Sequence, residues 1–276
     1  MAKARRQVEE KLKLVDIVFE LLDARIPISS KNPMIEEMIK DKPRLVLLNK
    51  ADLADAAEVK KWIEYYKKLG IVALATNSLT GNPLNDVLKK SEEILINLRE
   101  KEIKRGMKSR PFRAMILGIP NVGKSQFINR LAGKNKAKTG DKPGITKMQL
   151  YIRAGKDLEL LDNPGILWPK FESKEVALHL ALIGSIKDNI LPMDEVAIFG
   201  LEFLANNYPQ ALKDRYNLDQ IDIEHPVELL KAIGLMRGCL LPGNEIDFDR
   251  VFNLILFDFR NQAFGNLSLE KVKDNV

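Results

Sequence analysis

The octapeptide Gly118-Ile-Pro-Asn-Val-Gly123-Lys124-Ser125 constrains this chain more than any other stretch. It follows the apolar run FRAMIL and precedes the helix-like segment 124–132, so a phosphate-cradling loop between strand and helix is predicted. Glycines let backbone N–H groups turn toward an anion, and a helix N-terminus adds a favourable field. In such a loop Lys124 reaches the β- and γ-phosphates and Ser125 offers its hydroxyl to Mg²⁺. Asn121, Val122, Gly123, Lys124, Ser125 and Gln126 are therefore the candidate phosphate-side residues.

A phosphate loop does not choose a base. Asn49-Lys50-Ala51-Asp52 directly follows the run RLVLL, where a carboxylate can accept both N1–H and N2–H₂ of guanine. Asn49 can tie this loop to the phosphate loop, and the Lys50 stem can cover the base. Taken alone, the tetrapeptide also fits a helix-start loop capped by Asp52 or Asp55. Thr76-Asn77-Ser78, after the run IVALA, would bring a backbone N–H to guanine O6, which adds Asn77 and Ser78. Asp162-Asn-Pro-Gly165 has the form DxxG: Asp162 would hold Mg²⁺ through water and the Gly165 N–H would touch the γ-phosphate. Thr146, in KPGIT, is the candidate second protein ligand of Mg²⁺.

Apolar runs at 15–23, 44–48, 71–76 and 112–118 read as buried parallel strands. Helical periodicity at 55–69, 84–100 and 124–132 separates or follows them, which predicts an α/β fold with a mainly parallel sheet. Residues 148–153 and 157–162 read as a hairpin, and the basic stretch 101–111 reads as a connector. After Pro169 only helical periodicity remains, at 174–187, 194–206 and 225–237 and less cleanly at 247–262. The expected division is an α/β domain over 1–174 and an all-helical domain over 175–276.

No apolar run is long enough to span a membrane, and MAKARRQVEEKLK has no apolar centre or cleavage site. One cysteine, Cys239, and two histidines, His179 and His225, exclude an internal disulfide and argue against a Cys/His metal site. A reducing cytoplasm suits this composition. The net charge is +6, yet the last third is acidic. Basic residues gather at Lys3, Arg5, Arg6, Lys11 and Lys13, and at Lys101, Lys104, Arg105, Lys108, Arg110 and Arg113. A solvated surface and a polyanion-binding surface both fit such clusters.

The order of the motifs is informative: NKAD and TNS precede GIPNVGKS, PGIT and DNPG. With DARIPISSKNP (23–33), AKTGDKPGIT (137–146), ILWPKF (166–171) and FGLEFLANNYPQALKDRY (199–216), this resembles the circularly permuted ribosome biogenesis GTPase A (YlqF-type) family over nearly the whole chain. The resemblance implies a circularly permuted P-loop GTPase domain with a helical C-terminal domain that helps to bind rRNA. It further implies Mg²⁺-dependent turnover of GTP to GDP in the cytoplasm. The implied partners are a precursor of the large (50S) ribosomal subunit, its rRNA and ribosomal proteins. A monomer is expected. Lys124, Asn121, Thr146 and Gly165 form the implied catalytic set, with K⁺ at Asn121 in place of an arginine finger.

Ile166 stands where Ras-like GTPases place a water-orienting glutamine, so slow turnover that ribosomal particles stimulate is expected. The family also has a Phe-Pro-Gly-His segment ahead of the stretch matching MAKARR, and its histidine, linked to catalysis, has no counterpart in this sequence. Gln126 replaces a small hydroxyl residue beside the α-phosphate, and Asn163 replaces a threonine. A GTP-dependent binding module with little hydrolysis is the alternative. Because DNPG runs through ILWPKF into the helical domain, the nucleotide state is expected to re-aim that domain.

Overall fold

The computed structural model describes residues 2–40, 42–80, 83–108, 110–133, 151–161 and 171–272. They divide into two compact units: Met1–Lys170 together with Glu270–Val276, and Phe171–Leu269.

Among the described residues the first unit is built on six strands: β1 (Ile17–Asp23), β2 (Arg44–Asn49), β3 (Val72–Thr76), β4 (Phe112–Leu117), β5 (Tyr151–Ala154) and β6 (Leu158–Leu161). Their order is β3-β2-β1-β4-β6-β5, parallel throughout except for the antiparallel β5–β6 pair. Every residue of β1 is buried, as expected of a central strand with both faces covered. From β1 the chain builds outward through β2 and β3, then crosses back to lay β4 on the other side of β1. That reversal is a topological switch point, and ligands bind such sheets outside the carboxyl ends of the strands there. Asp23, Asn49, Thr76 and Leu117 end the four strands at this edge.

Among the described residues five helices accompany the sheet: α1 (Ala2–Leu12), α2 (Pro33–Ile39), α3 (Ala56–Lys68), α4 (Leu84–Lys104) and α5 (Lys124–Ala132). Local caps start several of them. Asn32 accepts from Met34 N ahead of Pro33, and Asp55 accepts from Ala57 N. Val59, Trp62 and Tyr66 of α3 pack on Leu22, Val46, Leu48 and Ala73. The stretch 101–111, expected as a connector, is in part ordered helix, because α4 runs to Lys104. Arg110 is then anchored by a bidentate bond to Asp16 and one to Glu102.

Residues 270–272, expected with the helical domain, pack on the sheet unit instead. Trp62 Nε1 donates to Glu270 O, and Val272 joins the Trp62 cluster. The Glu270 carboxylate accepts from Ile28 N (2.6 Å), Ser29 N (2.9 Å) and the Ser29 hydroxyl.

The second unit holds α6 (Lys174–Leu182), α7 (Met193–Asn207), α8 (Pro209–Tyr216), α9 (Pro226–Arg237) and α10 (Phe248–Arg260). Pro209 opens α8 as a separate helix inside the tract 199–216. A Cβ at Gly200 would lie 2.7 Å from the Phe259 ring, so this glycine lets α7 and α10 approach closely. The predicted helix over 174–187 stops near Leu182, and Gly184 follows with φ +72°.

Candidate nucleotide site

The loop from Gly118 to Gly123 leaves β4 and enters α5 directly at Lys124. Two glycines are required by what lies beside them. A Cβ at Gly118 would stand 2.6 Å from the Leu21 carbonyl of β1. A Cβ at Gly123, where φ is +100°, would stand 2.5 Å from the Asn49 amide nitrogen. Any side chain at position 123 would therefore displace the Asn49 amide, and this φ would strain it as well.

Lys124 is buried, and its ammonium donates to the carbonyls of Ile119 (2.7 Å) and Gly118 (3.2 Å). The loop's own backbone thus holds a cation at its centre, the charge a polyphosphate needs. Ser125, beside it, is partly buried, Val122 is buried, and Gln126 is exposed. Asn121 is exposed with φ +58°.

Asn49 is fully buried at the end of β2 and joins three loops. Its amide donates to Val122 O at 2.8 Å. Its carbonyl oxygen accepts from Ser78 Oγ (2.7 Å) and Thr76 Oγ1 (3.2 Å). Asn77 turns back on its own loop, accepting from Leu79 N and Thr80 N. Arg130 of α5 donates to Ser78 O at 3.4 Å. The structure therefore gathers NKAD, TNS and the phosphate loop, which lie far apart in sequence, at one edge of the sheet. Asp52 is exposed beside this cluster.

Two residues at this edge escaped the sequence reading as individuals. Asp23 ends β1 in register with Asn49 and has no exposed surface. Arg25 grips it through Nε (2.9 Å) and a terminal nitrogen (2.8 Å), and Lys50 Nζ lies 3.1 Å from the same carboxylate. Burial by itself pushes the Asp23 carboxyl up, but the Arg25 charge and bonds and the nearby Lys50 outweigh it and hold the group well below the usual carboxylate range. The available signal was an Asp-x-Arg at the end of β1, the strand paired with β4, which leads into the phosphate loop.

Thr146, Asp162 and Gly165 lie outside the described residues, as do Asn163 and Ile166. Among the described residues no cluster of three His, Cys, Asp or Glu could hold a metal ion. The three residues named from sequence as Mg²⁺ candidates, Ser125, Thr146 and Asp162, all carry oxygen donors, the chemistry a hard cation such as Mg²⁺ takes. No helix among the described residues is long and apolar enough to cross a membrane.

Comparison with known proteins agrees with this geometry. The family described as 50S ribosome-binding GTPase matches residues 113–219. "Ribosome biogenesis GTPase A" of Bacillus licheniformis is 55% identical over 99% of this chain and 96% of its own length. A GDP-bound structure of TM YlqF superposes with a TM-score of 0.70 at 26% identity, covering 98% of this chain and all of that one. The GNP-bound YlqF from T. maritima gives 0.67 at the same identity, covering 98% of both chains.

Proposed function

The chain belongs to the ribosome biogenesis GTPase A family, with a circularly permuted P-loop GTPase domain, and from that premise we propose that it binds GTP and hydrolyses it slowly during late assembly of the large ribosomal subunit. One observation carries this reading: the Asn49 amide bonded to Val122 O, with Ser78 on its other end. That arrangement supports a single pocket in which Asp52 pairs with guanine, Lys50 covers it, and the Asn77–Ser78 turn faces O6. The backbone of 121–126 and the Lys124 ammonium then bind the phosphates.

In the reaction water attacks the γ-phosphorus, the bond to the β–γ bridging oxygen breaks, and GDP and phosphate leave. Ser125 and Thr146, with Asp162 through water, would hold Mg²⁺, which would supply positive charge against the phosphates. Lys124 stabilises the charge that builds on the transferred group, and the Gly165 N–H senses the γ-phosphate. Asn121, exposed and with a left-handed backbone, is the candidate K⁺ ligand.

Lys101, Lys104, Arg105 and Lys108 are exposed at the end of α4 and beyond, which supports an rRNA-facing surface on this unit. Arg5 and Arg6 of α1 instead pair with Glu9 and Glu10. The helical unit, net acidic, would contribute local or shape-based RNA contacts. The protein would act as a cytoplasmic monomer, bound to the ribosomal precursor in its GTP form. Ile166 favours one second reading, a GTP-dependent binding module whose hydrolysis is incidental.

Phosphate release measured with and without large-subunit precursor particles, in KCl and in NaCl at equal ionic strength, separates the two. Particles should accelerate release, by roughly tenfold or more, and K⁺ should exceed Na⁺. Particles that bind the GTP form without accelerating release would establish the binding-module reading.

A further inference from the structure

Asp23 and Arg25 already neutralise one another. Their two parallel bonds and the Arg25 N–H (3.1 Å) satisfy the buried carboxylate without help. A second cation, Lys50, nevertheless approaches to 3.1 Å. The aspartate does not need the lysine, so the contact is better explained by what it does for Lys50.

Lys50 has φ +58°. Among the described residues of the sheet unit, it and Asn121 are the non-glycine residues in the left-handed region, and both lie in nucleotide motifs. A side chain tied at its far end helps to hold such a backbone. The tether has a rigid mount. Ala24 N donates to Asn49 O, Asp23 N donates to Ser30 Oγ, and Ser30 N donates to Ile26 O. On the outer side, Glu270 N donates to Arg25 O while the Glu270 carboxylate holds Ile28 N and Ser29 N. Burial disfavours the Arg25 charge, but Asp23 and, more weakly, the charge of Asp52 outweigh it and favour the protonated form. The pair therefore contacts Lys50 directly and acts on Asp52 through charge.

We propose that Asp23, gripped by Arg25, is a positioning residue for base recognition: it pins the Lys50 ammonium so that the lysine stem is presented, already ordered, over the guanine ring. This rests on the guanine-nucleotide reading above. Ordering a lysine side chain before binding removes an entropic cost that a free one would meet on binding.

The test is titration of the intact protein with N-methylanthraniloyl-GDP, using Lys50→Met, Arg25→Lys, the double variant and Asp52→Ala. Methionine keeps an apolar stem and loses the anchor. Each of the first two variants should weaken binding about tenfold, and Arg25→Lys should add nothing once Lys50→Met is present. Inosine diphosphate, which lacks the 2-amino group, should lose affinity by the same factor, because the stem covers the ring face. Equal cost of Arg25→Lys in both backgrounds, or wild-type affinity in Lys50→Met, overturns the proposal. If Arg25→Lys does not fold, Lys50→Arg decides: it should restore most of the affinity that Lys50→Met loses, and binding no better than the methionine variant overturns the idea. A wild-type protein that ignores GDP, or an Asp52→Ala variant that binds it normally, instead removes the guanine reading and this proposal with it.

Discussion

Asp23 in the sheet unit and Asp258 in the helical unit are both almost fully buried, and each holds an arginine through two oxygens. Asp23 takes its arginine from two residues away, so the pair closes a small local loop and joins no distant elements. Asp258, on α10, takes Arg215 from α8 and also accepts from Tyr216 Oη at 3.0 Å. That pair is itself a staple between helices, and Tyr216 packs edge-on against Phe264. The same bidentate chemistry therefore does different work, and the third partner reveals which. Tyr216 is a core residue, whereas Lys50 belongs to the NKAD tetrapeptide.

The largest expected effect tests the helical side of this contrast. Asp258→Ala should lower stability by about 3 kcal/mol, because Arg215 and Tyr216 lose a buried acceptor. Its GDP affinity, by fluorescence titration, should stay within about twofold of wild type. A parallel fall in affinity would erase the distinction between the two aspartates. Asn49→Ala should act in the opposite sense. Removing an amide bonded to Val122, Thr76 and Ser78 should cost about 2 kcal/mol of GDP binding, with little change in the melting of the helical unit.

The smallest effect is in pH. The folded-state pKa of Asp23 is depressed, so its contribution is present above the unfolded value near ~3.9 and is lost only as pH falls through the lower folded value. Glu20 has the opposite sign. Burial, only partly offset by Arg44, raises its pKa, so stability falls as pH climbs from about 4.3 through the raised folded value. One Glu20 oxygen, buried and without a hydrogen-bond partner, fits that direction. Thermal melts from pH 8 to pH 5 should therefore show no loss due to Asp23. They should show a gain that Glu20→Gln removes. A loss over that range in wild type that disappears in Asp23→Asn would contradict the assignment.

The phosphate loop and NKAD were legible because each is a contiguous string whose chemistry depends on adjacent residues, set at the end of an apolar strand. The parallel sheet was legible for a similar reason: buried strands such as β1 read as unbroken apolar runs. What sequence did not disclose depends on register or on distant pairing. α2 spans only seven residues, too short for helical periodicity, and starts on the Asn32 cap and Pro33. Asp23 meets Lys50 only because β1 and β2 align Asp23 with Asn49, a fact of strand pairing. The contact of Glu270 with Ile28 and Ser29 joins positions more than two hundred residues apart, where no local pattern could signal it.

That last contact has a consequence for biosynthesis. The loop that follows β1 is finished by residues translated only after the entire helical unit, Phe171–Leu269, has been made. A nascent chain stalled within that unit would display every nucleotide motif, yet it would lack the clasp that steadies the Asp23–Arg25 mount.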